Sequence, residues 1–144
     1  MANRNFSRVQ TADRAIKILY GQALVTDSTG AVTFNESLSA GIKSFVYVAQ
    51  GVYDITLGVP GGASDTYAAL MYFGLTMFNS AETGTTGALG QLQVDTVSTD
   101  GVFRIMILDH NFGAKHPRDA SKIKFMIAVK NSNVSAVGAG TLTE

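Results

Sequence analysis

The sequence contains no cysteine and no tryptophan, only two prolines, and few charged residues. Without cysteine, neither a disulfide framework nor a thiolate metal site can form, so stability has to come from packing or from association between chains. Charged residues make up 15% of the chain, against roughly a quarter of an average soluble domain. So few charges indicate either that another molecule covers part of the protein surface, or that the protein is a small sandwich whose surface is rich in Ser, Thr and Gly.

Two further absences bear on where the protein acts. The longest apolar run, at residues 67–78, is too short for a membrane-spanning helix. Residues 1–8 lack the apolar stretch of a signal peptide. We therefore expect a protein that is made and stays in a cytoplasm, with no membrane partner.

The net charge is zero, but the charges are unevenly distributed. Residues 1–20 and 101–144 are net basic, whereas residues 21–100 hold many acids against Lys43 alone. This separation favours contacts between copies of the chain over direct binding of nucleic acid, which requires one basic face across the domain.

Alternating apolar residues, bounded by turn residues, predict about eight strands and no convincing amphipathic helix. In the first strand Ile16, Ile18 and Tyr20 alternate with Lys17, and Gly21 indicates a bulge or a bend. Residues 67–78 fit a helical stripe or a buried strand, and the flanking strands favour the strand. Residues 99–101 predict a tight hairpin turn because Asp-Gly supplies positive φ.

The predicted strand at residues 122–130 has one dry face and one wet face. Its two sets of side chains are Ile123, Phe125, Ile127 and Val129 on one side, and Lys122, Lys124 and Lys130 on the other. The whole pattern predicts an all-β fold, an antiparallel β-sandwich of jelly-roll type, with an extended N-terminal arm.

The chain divides into three parts on this reading. Residues 1–14 form the arm, residues 15–132 the sandwich, and residues 133–144 a flexible or partner-bound tail. Extended, the arm reaches about 45 Å at about 3.3 Å per residue. It docks on a partner, swaps between copies or frays. The arm residues predicted to contact a partner are Arg4, Phe6, Arg8, Val9 and Arg14.

The chemistry available to a catalytic or metal site is sparse. The candidates in the histidine-containing loop are Asp109, His110, His116 and Asp119. They lack the short fixed spacing of metal ligands, and Lys115 and Arg118 between them would repel a cation. Gly84, Gly87 and Gly90 precede a strand instead of the helix that a phosphate cradle needs, and Ser64 reads as a turn residue. We predict no catalytic residue, no metal and no cofactor.

Three stretches resemble small virion proteins of tailed bacteriophages. The first is the opening, which comprises Met1 to Phe6, Arg8-Val9-Gln10, Asp13-Arg14 and Lys17-Ile18-Leu19. The second is the segment Gly101 to Ile105, and the third is the ending Ile123 to Ser132. Together they resemble the capsid cement or decoration proteins of these phages. The resemblance implies a non-enzymatic protein made in the bacterial cytoplasm and located on the capsid surface of the virion. It implies binding to the major capsid protein, stabilisation of the contacts between its subunits, and self-association as a dimer or trimer.

Other functions compete with this one. A phage tail component, either an adaptor or a receptor-binding fibre-tip domain, would expose loop aromatics, for which Phe112 is the candidate. A small sandwich hydrolase would depend on His110 or His116. A nucleic-acid module would interleave basic and aromatic residues on one face, whereas Lys124 and Phe125 are predicted on opposite faces.

Overall fold

The structure is a computed structural model that describes residues 16–78, 89–109, 111–115, 117 and 121–131. In this part of the chain eight strands form two four-stranded sheets, which confirms the predicted all-β sandwich. A 3₁₀ turn, Glu36–Leu38, joins β2 to β3. The strands are β1 Ile16–Val25, β2 Val32–Phe34, β3 Ile42–Ala49, β4 Val52–Leu57, β5 Ala69–Phe78, β6 Leu89–Thr96, β7 Val102–Leu108 and β8 Lys122–Lys130.

The two sheets lie face to face. Sheet A has the order β2-β1-β8-β5 and sheet B the order β3-β4-β7-β6, and all neighbouring strands are antiparallel. Hairpins join β1 to β2, β3 to β4 and β6 to β7, while the other connections cross between the sheets. Strand β2 lies beside β3, and β5 beside β6. Because the two sheets pack face to face, each has one face in the core and one face outside.

Aromatic rings from both sheets meet in the core. Phe125 of sheet A lies against Phe45 and Phe103 of sheet B, with ring centroids 5.8 Å and 6.1 Å apart. Phe73 of β5 meets Phe103 edge-on at 5.9 Å. Removing this apolar surface from water stabilises the fold by about 25 cal/mol per Å².

In β1 the alternation of Ile16, Ile18 and Tyr20 marks the outer face of sheet A. Ile18 and Tyr20 are exposed, while Leu19, Ala23 and Val25 are buried. The expected bulge at Gly21 is wrong, because the pairing of β1 with β8 runs through it without a shift. Gly21 instead makes room for an aromatic ring: a Cβ there would lie 2.5 Å from Cζ of Phe125.

Two other predictions are settled by the backbone. Residues 69–78 form the predicted strand, β5, with a register shift between Leu70 and Tyr72. The expectation that this strand is buried is wrong, because Tyr72 and Phe78 are each 55% exposed. The hairpin between β6 and β7 is looser than a two-residue turn, because pairing stops at Thr96 and Val102. The amide N–H groups of Thr99 and Asp100 both donate to the carbonyl of Thr96, and Gly101 has φ +68.

Candidate functional site

The outer face of sheet A carries a cluster of apolar side chains that no described part of the chain covers. Strand pairing places Ile18 beside Ala128, and Ala128 beside Tyr72. In the next row Tyr20 lies beside Met126, and Met126 beside Gly74. These residues share one face because alternate residues of a strand point to the same side.

The cluster is substantially exposed to solvent. Exposed fractions are 43% for Ile18, 51% for Tyr20, 55% for Tyr72 and 47% for Met126. Tyr72 lies along the sheet over Gly74, since a Cβ at Gly74 would be 2.7 Å from the Tyr72 hydroxyl. A shallow open depression beside it is lined by Tyr72, Gly74, Leu75, Thr76, Lys124, Phe125 and Met126. Scattered exposed apolar residues are ordinary on protein surfaces, whereas these residues are neighbours on adjacent strands.

Lysines of β8 lie at both ends of this apolar cluster. Lys130 lies at one end, beside Ile16 and Ala69. Lys124, beside Gln22 and Thr76, lies at the other end and is followed by Lys122. Within the described residues none of the three lysines is in an ion pair. The alternating burial of β8 confirms the prediction that the three lysines share one face, opposite the buried side chains of that strand.

We call this surface the lysine face. It consists of Ile18, Tyr20, Tyr72, Met126, Lys122, Lys124 and Lys130. An apolar centre containing Tyr and Met with a charged rim is the usual composition of a protein–protein interface.

A second exposed feature is the loop that follows β7. The Asp109 carboxylate accepts hydrogen bonds from the backbone N–H groups of Asn111 (2.8 Å) and Gly113 (3.0 Å). The N–H of Phe112 donates to the Asp109 carbonyl at 3.0 Å, and Phe112 has φ +60. The Phe112 side chain is 74% exposed. The loop thus presents one aromatic ring to solvent from a hydrogen-bonded backbone.

Of the four loop residues weighed for catalysis or metal binding, the described structure includes only Asp109. Asp109 holds its own loop, and the loop's other three candidates, His110, His116 and Asp119, lie outside the described residues. Among residues 16–78, 89–109 and the short described segments that follow, no three His, Asp or Glu side chains form a possible metal site. Ser64 is exposed and forms a bridge with Gly58.

The glycine-rich loop before β6 ends earlier than its sequence pattern indicates. Gly90 belongs to β6, where a Cβ would lie 2.5 Å from Cδ2 of Leu75. Its small size therefore serves packing between β5 and β6. Gly84 and Gly87 lie outside the described residues, as do residues 1–14, including Arg4, Phe6, Arg8, Val9 and Arg14, and residues 133–144.

Sequence reasoning missed the apolar half of the lysine face. Ile18 and Tyr20 were visible as an alternating set, but nothing local assigned them to the outside. Tyr72 and Met126 join them only through the pairing of β5 and β1 with β8.

No helix in the described part of the chain is long and apolar enough to cross a membrane. No protein-family model, curated protein or solved structure matches the chain.

Proposed function

We propose that this protein is a non-catalytic structural subunit that uses the lysine face to bind a larger protein assembly. The observation that carries this proposal is the exposed apolar group of Ile18, Tyr20, Met126 and Tyr72, with lysines at both ends that form no ion pair among the described residues. Leaving such a surface in water is unfavourable, and a partner with apolar side chains and flanking acids would cover it.

We propose further that the assembly is the head of a tailed bacteriophage. The resemblance of the opening and closing segments to cement and decoration proteins supports this assignment. In that setting the protein binds the outer surface of the head and stabilises contacts between major capsid protein subunits. Every copy repeats the same contact, so a modest interface contributes many times over one shell.

Co-sedimentation with phage heads tests this function. The heads are assembled from the major capsid protein encoded in the same genome and expanded without the protein. The full chain should pellet with them saturably, at a fixed ratio to the major capsid protein. A chain lacking residues 1–14 shows whether the arm contributes.

Two matched substitutions identify the surface involved. Met126→Glu places an acid in the centre of the lysine face and should abolish binding. Val59→Glu makes the same kind of change at a loop residue that is 66% exposed and follows β4 of the other sheet, and binding should persist. No saturable binding by the full chain would overturn the phage-head assignment, and equal binding by both variants would overturn the role of the lysine face.

Phe112 favours one alternative, a tail component that binds a host surface. An exposed aromatic ring on a hydrogen-bonded loop supports this alternative, and Phe112 provides one. If this alternative holds, Phe112→Ala removes binding to host cell envelopes, whereas Met126→Glu leaves it intact.

A further inference from the structure

The outer face of sheet B differs from the lysine face in both shape and charge. Its central row runs across all four strands and consists of Val46, Asp54, Arg104 and Val94. The next row is Ser44, Thr56, Val102 and Thr96. Apart from Arg104, the side chains of these two rows are short and many are β-branched, so this part of the face is low in relief.

The only charges in these two rows neutralise each other. Arg104 donates from Nε to Oδ1 of Asp54 at 2.6 Å and from Nη2 to Oδ2 at 2.8 Å. This two-bond geometry is the stronger form of an arginine–carboxylate pair, and the hydrogen bond with Asp54 raises the pKa of Arg104. The side chains remain 36% and 28% exposed, respectively. The pair is therefore fixed in place but still open to a neighbour.

Valines extend on both sides of the ion pair. Val46 is 51% exposed and Val94 is 39% exposed, and Val48 near the end of β3 is 43% exposed. A shallow depression lined by Asp54, Val94, Thr96, Asp100, Val102 and Arg104 lies beside the pair. A flat, β-branched face of this kind suits packing against another sheet at about 10 Å.

We propose that the outer face of sheet B is the surface on which a second copy of this chain packs, about a two-fold axis. A two-fold axis near the ion pair sets Arg104 of each copy against Asp54 of the other, so the four charges alternate in sign. A two-fold axis along β8 of the lysine face would instead set Lys122, Lys124 and Lys130 against their own copies. This inference is independent of what the lysine face binds.

Sedimentation equilibrium on the full chain, over a range of concentrations, tests the proposal. The wild type should dimerise. Asp54→Arg gives a face with two positive charges and Arg104→Asp a face with two negative charges, so each variant alone should dimerise at least about a hundredfold more weakly. An equimolar mixture of the two should recover a dimer that contains one copy of each.

Controls separate loss of the interface from loss of the fold. Thr76→Arg, on the opposite sheet, should leave dimerisation unchanged. Val46→Lys keeps the ion pair and should still prevent dimerisation, and it replaces the charge variants if circular dichroism shows that they unfold. Three outcomes would overturn the proposal. The wild type stays monomeric, or the mixture of folded charge variants does not associate. In the third, Thr76→Arg loses dimerisation while Val46→Lys keeps it.

Discussion

At the scale of single residues, Tyr53 shows how the core accommodates one polar atom. Its side chain is fully buried against Phe45, and its hydroxyl donates to the carbonyl of Gly30 at 2.9 Å. The bond ties β4 to the turn between β1 and β2. Burial raises the pKa of Tyr53 well above its ordinary value, and the neighbouring Tyr47 adds to the effect.

This raised pKa predicts a loss of stability at alkaline pH. The neutral phenol favours the folded state, so its contribution is fully present below the ordinary tyrosine pKa of about 10 and declines as pH rises above it. The free energy of unfolding, measured by urea denaturation, should therefore fall above about pH 10. Tyr53→Phe should make this fall shallower, although Tyr67, whose pKa burial also raises, retains part of it.

The same substitution has an effect at neutral pH. Tyr53→Phe leaves the Gly30 carbonyl without its donor, and we expect a loss of about 1–2 kcal/mol in the free energy of unfolding. The exposed Tyr20 is the matched control, and Tyr20→Phe should leave the stability at neutral pH unchanged. An unchanged alkaline slope in Tyr53→Phe would contradict the account of the buried phenol.

Gly21 offers a second prediction at this scale. Because its Cβ would lie 2.5 Å from Cζ of Phe125, Gly21→Ala should force the ring to move. We expect Gly21→Ala to cost about 1–3 kcal/mol, as overpacking does in other cores. Adding Phe125→Leu relieves the clash, so the double variant should lose less stability than the sum of the singles. Additive losses in chemical denaturation would count against the clash.

At the scale of secondary structure, β8 demonstrates the two environments of a half-buried strand. Ile127 is fully buried, whereas its neighbour Met126 is 47% exposed on the lysine face. Ile127→Ala should therefore cost about 2–5 kcal/mol of unfolding free energy, and Met126→Ala should stay within about 0.5 kcal/mol of the wild type. Similar losses in thermal or chemical unfolding would mean that the faces of β8 are wrongly assigned.

How far the sequence predicts the fold depends on the contrast within each strand. In β8 lysines alternate with large apolar residues, so both the strand and its inner face are predicted correctly. In β1 both faces are apolar, with Ile18 and Tyr20 on one side and Leu19 and Val25 on the other. The inner face is decided by the Phe125 ring over Gly21, a contact with a strand far along the chain that leaves no local signal.

At the scale of the whole molecule, charge distinguishes the two outer faces. Sheet A presents Lys122, Lys124 and Lys130, whereas the central row of sheet B holds the neutral pair of Asp54 and Arg104. The sequence predicted the lysines to share a face. It could not predict the apolar centre between them, which exists only once β1, β8 and β5 pair.

A charged rim predicts that binding to phage heads depends on salt. Raising salt from about 0.1 M to about 1 M shortens the screening length from about 10 Å to about 3 Å. Co-sedimentation should accordingly weaken over this range. The binding of Lys124→Gln should depend less steeply on salt than that of the wild type. Binding that strengthens with salt would assign the contact to apolar burial alone.

Methionine oxidation tests the central claim, that the lysine face is the surface covered by the partner. Met126 (47% exposed) lies on the lysine face, Met71 (58% exposed) precedes Tyr72 at the register shift of β5, and half-buried Met106 of β7 in sheet B is the internal control. The oxidation rates of all three, from brief peroxide treatment and mass spectrometry, are compared between the free and the head-bound protein. We predict slower oxidation of Met71 and Met126 in the bound protein and no change at Met106. Bound protein in which Met71 and Met126 oxidise as fast as in the free protein would contradict the claim.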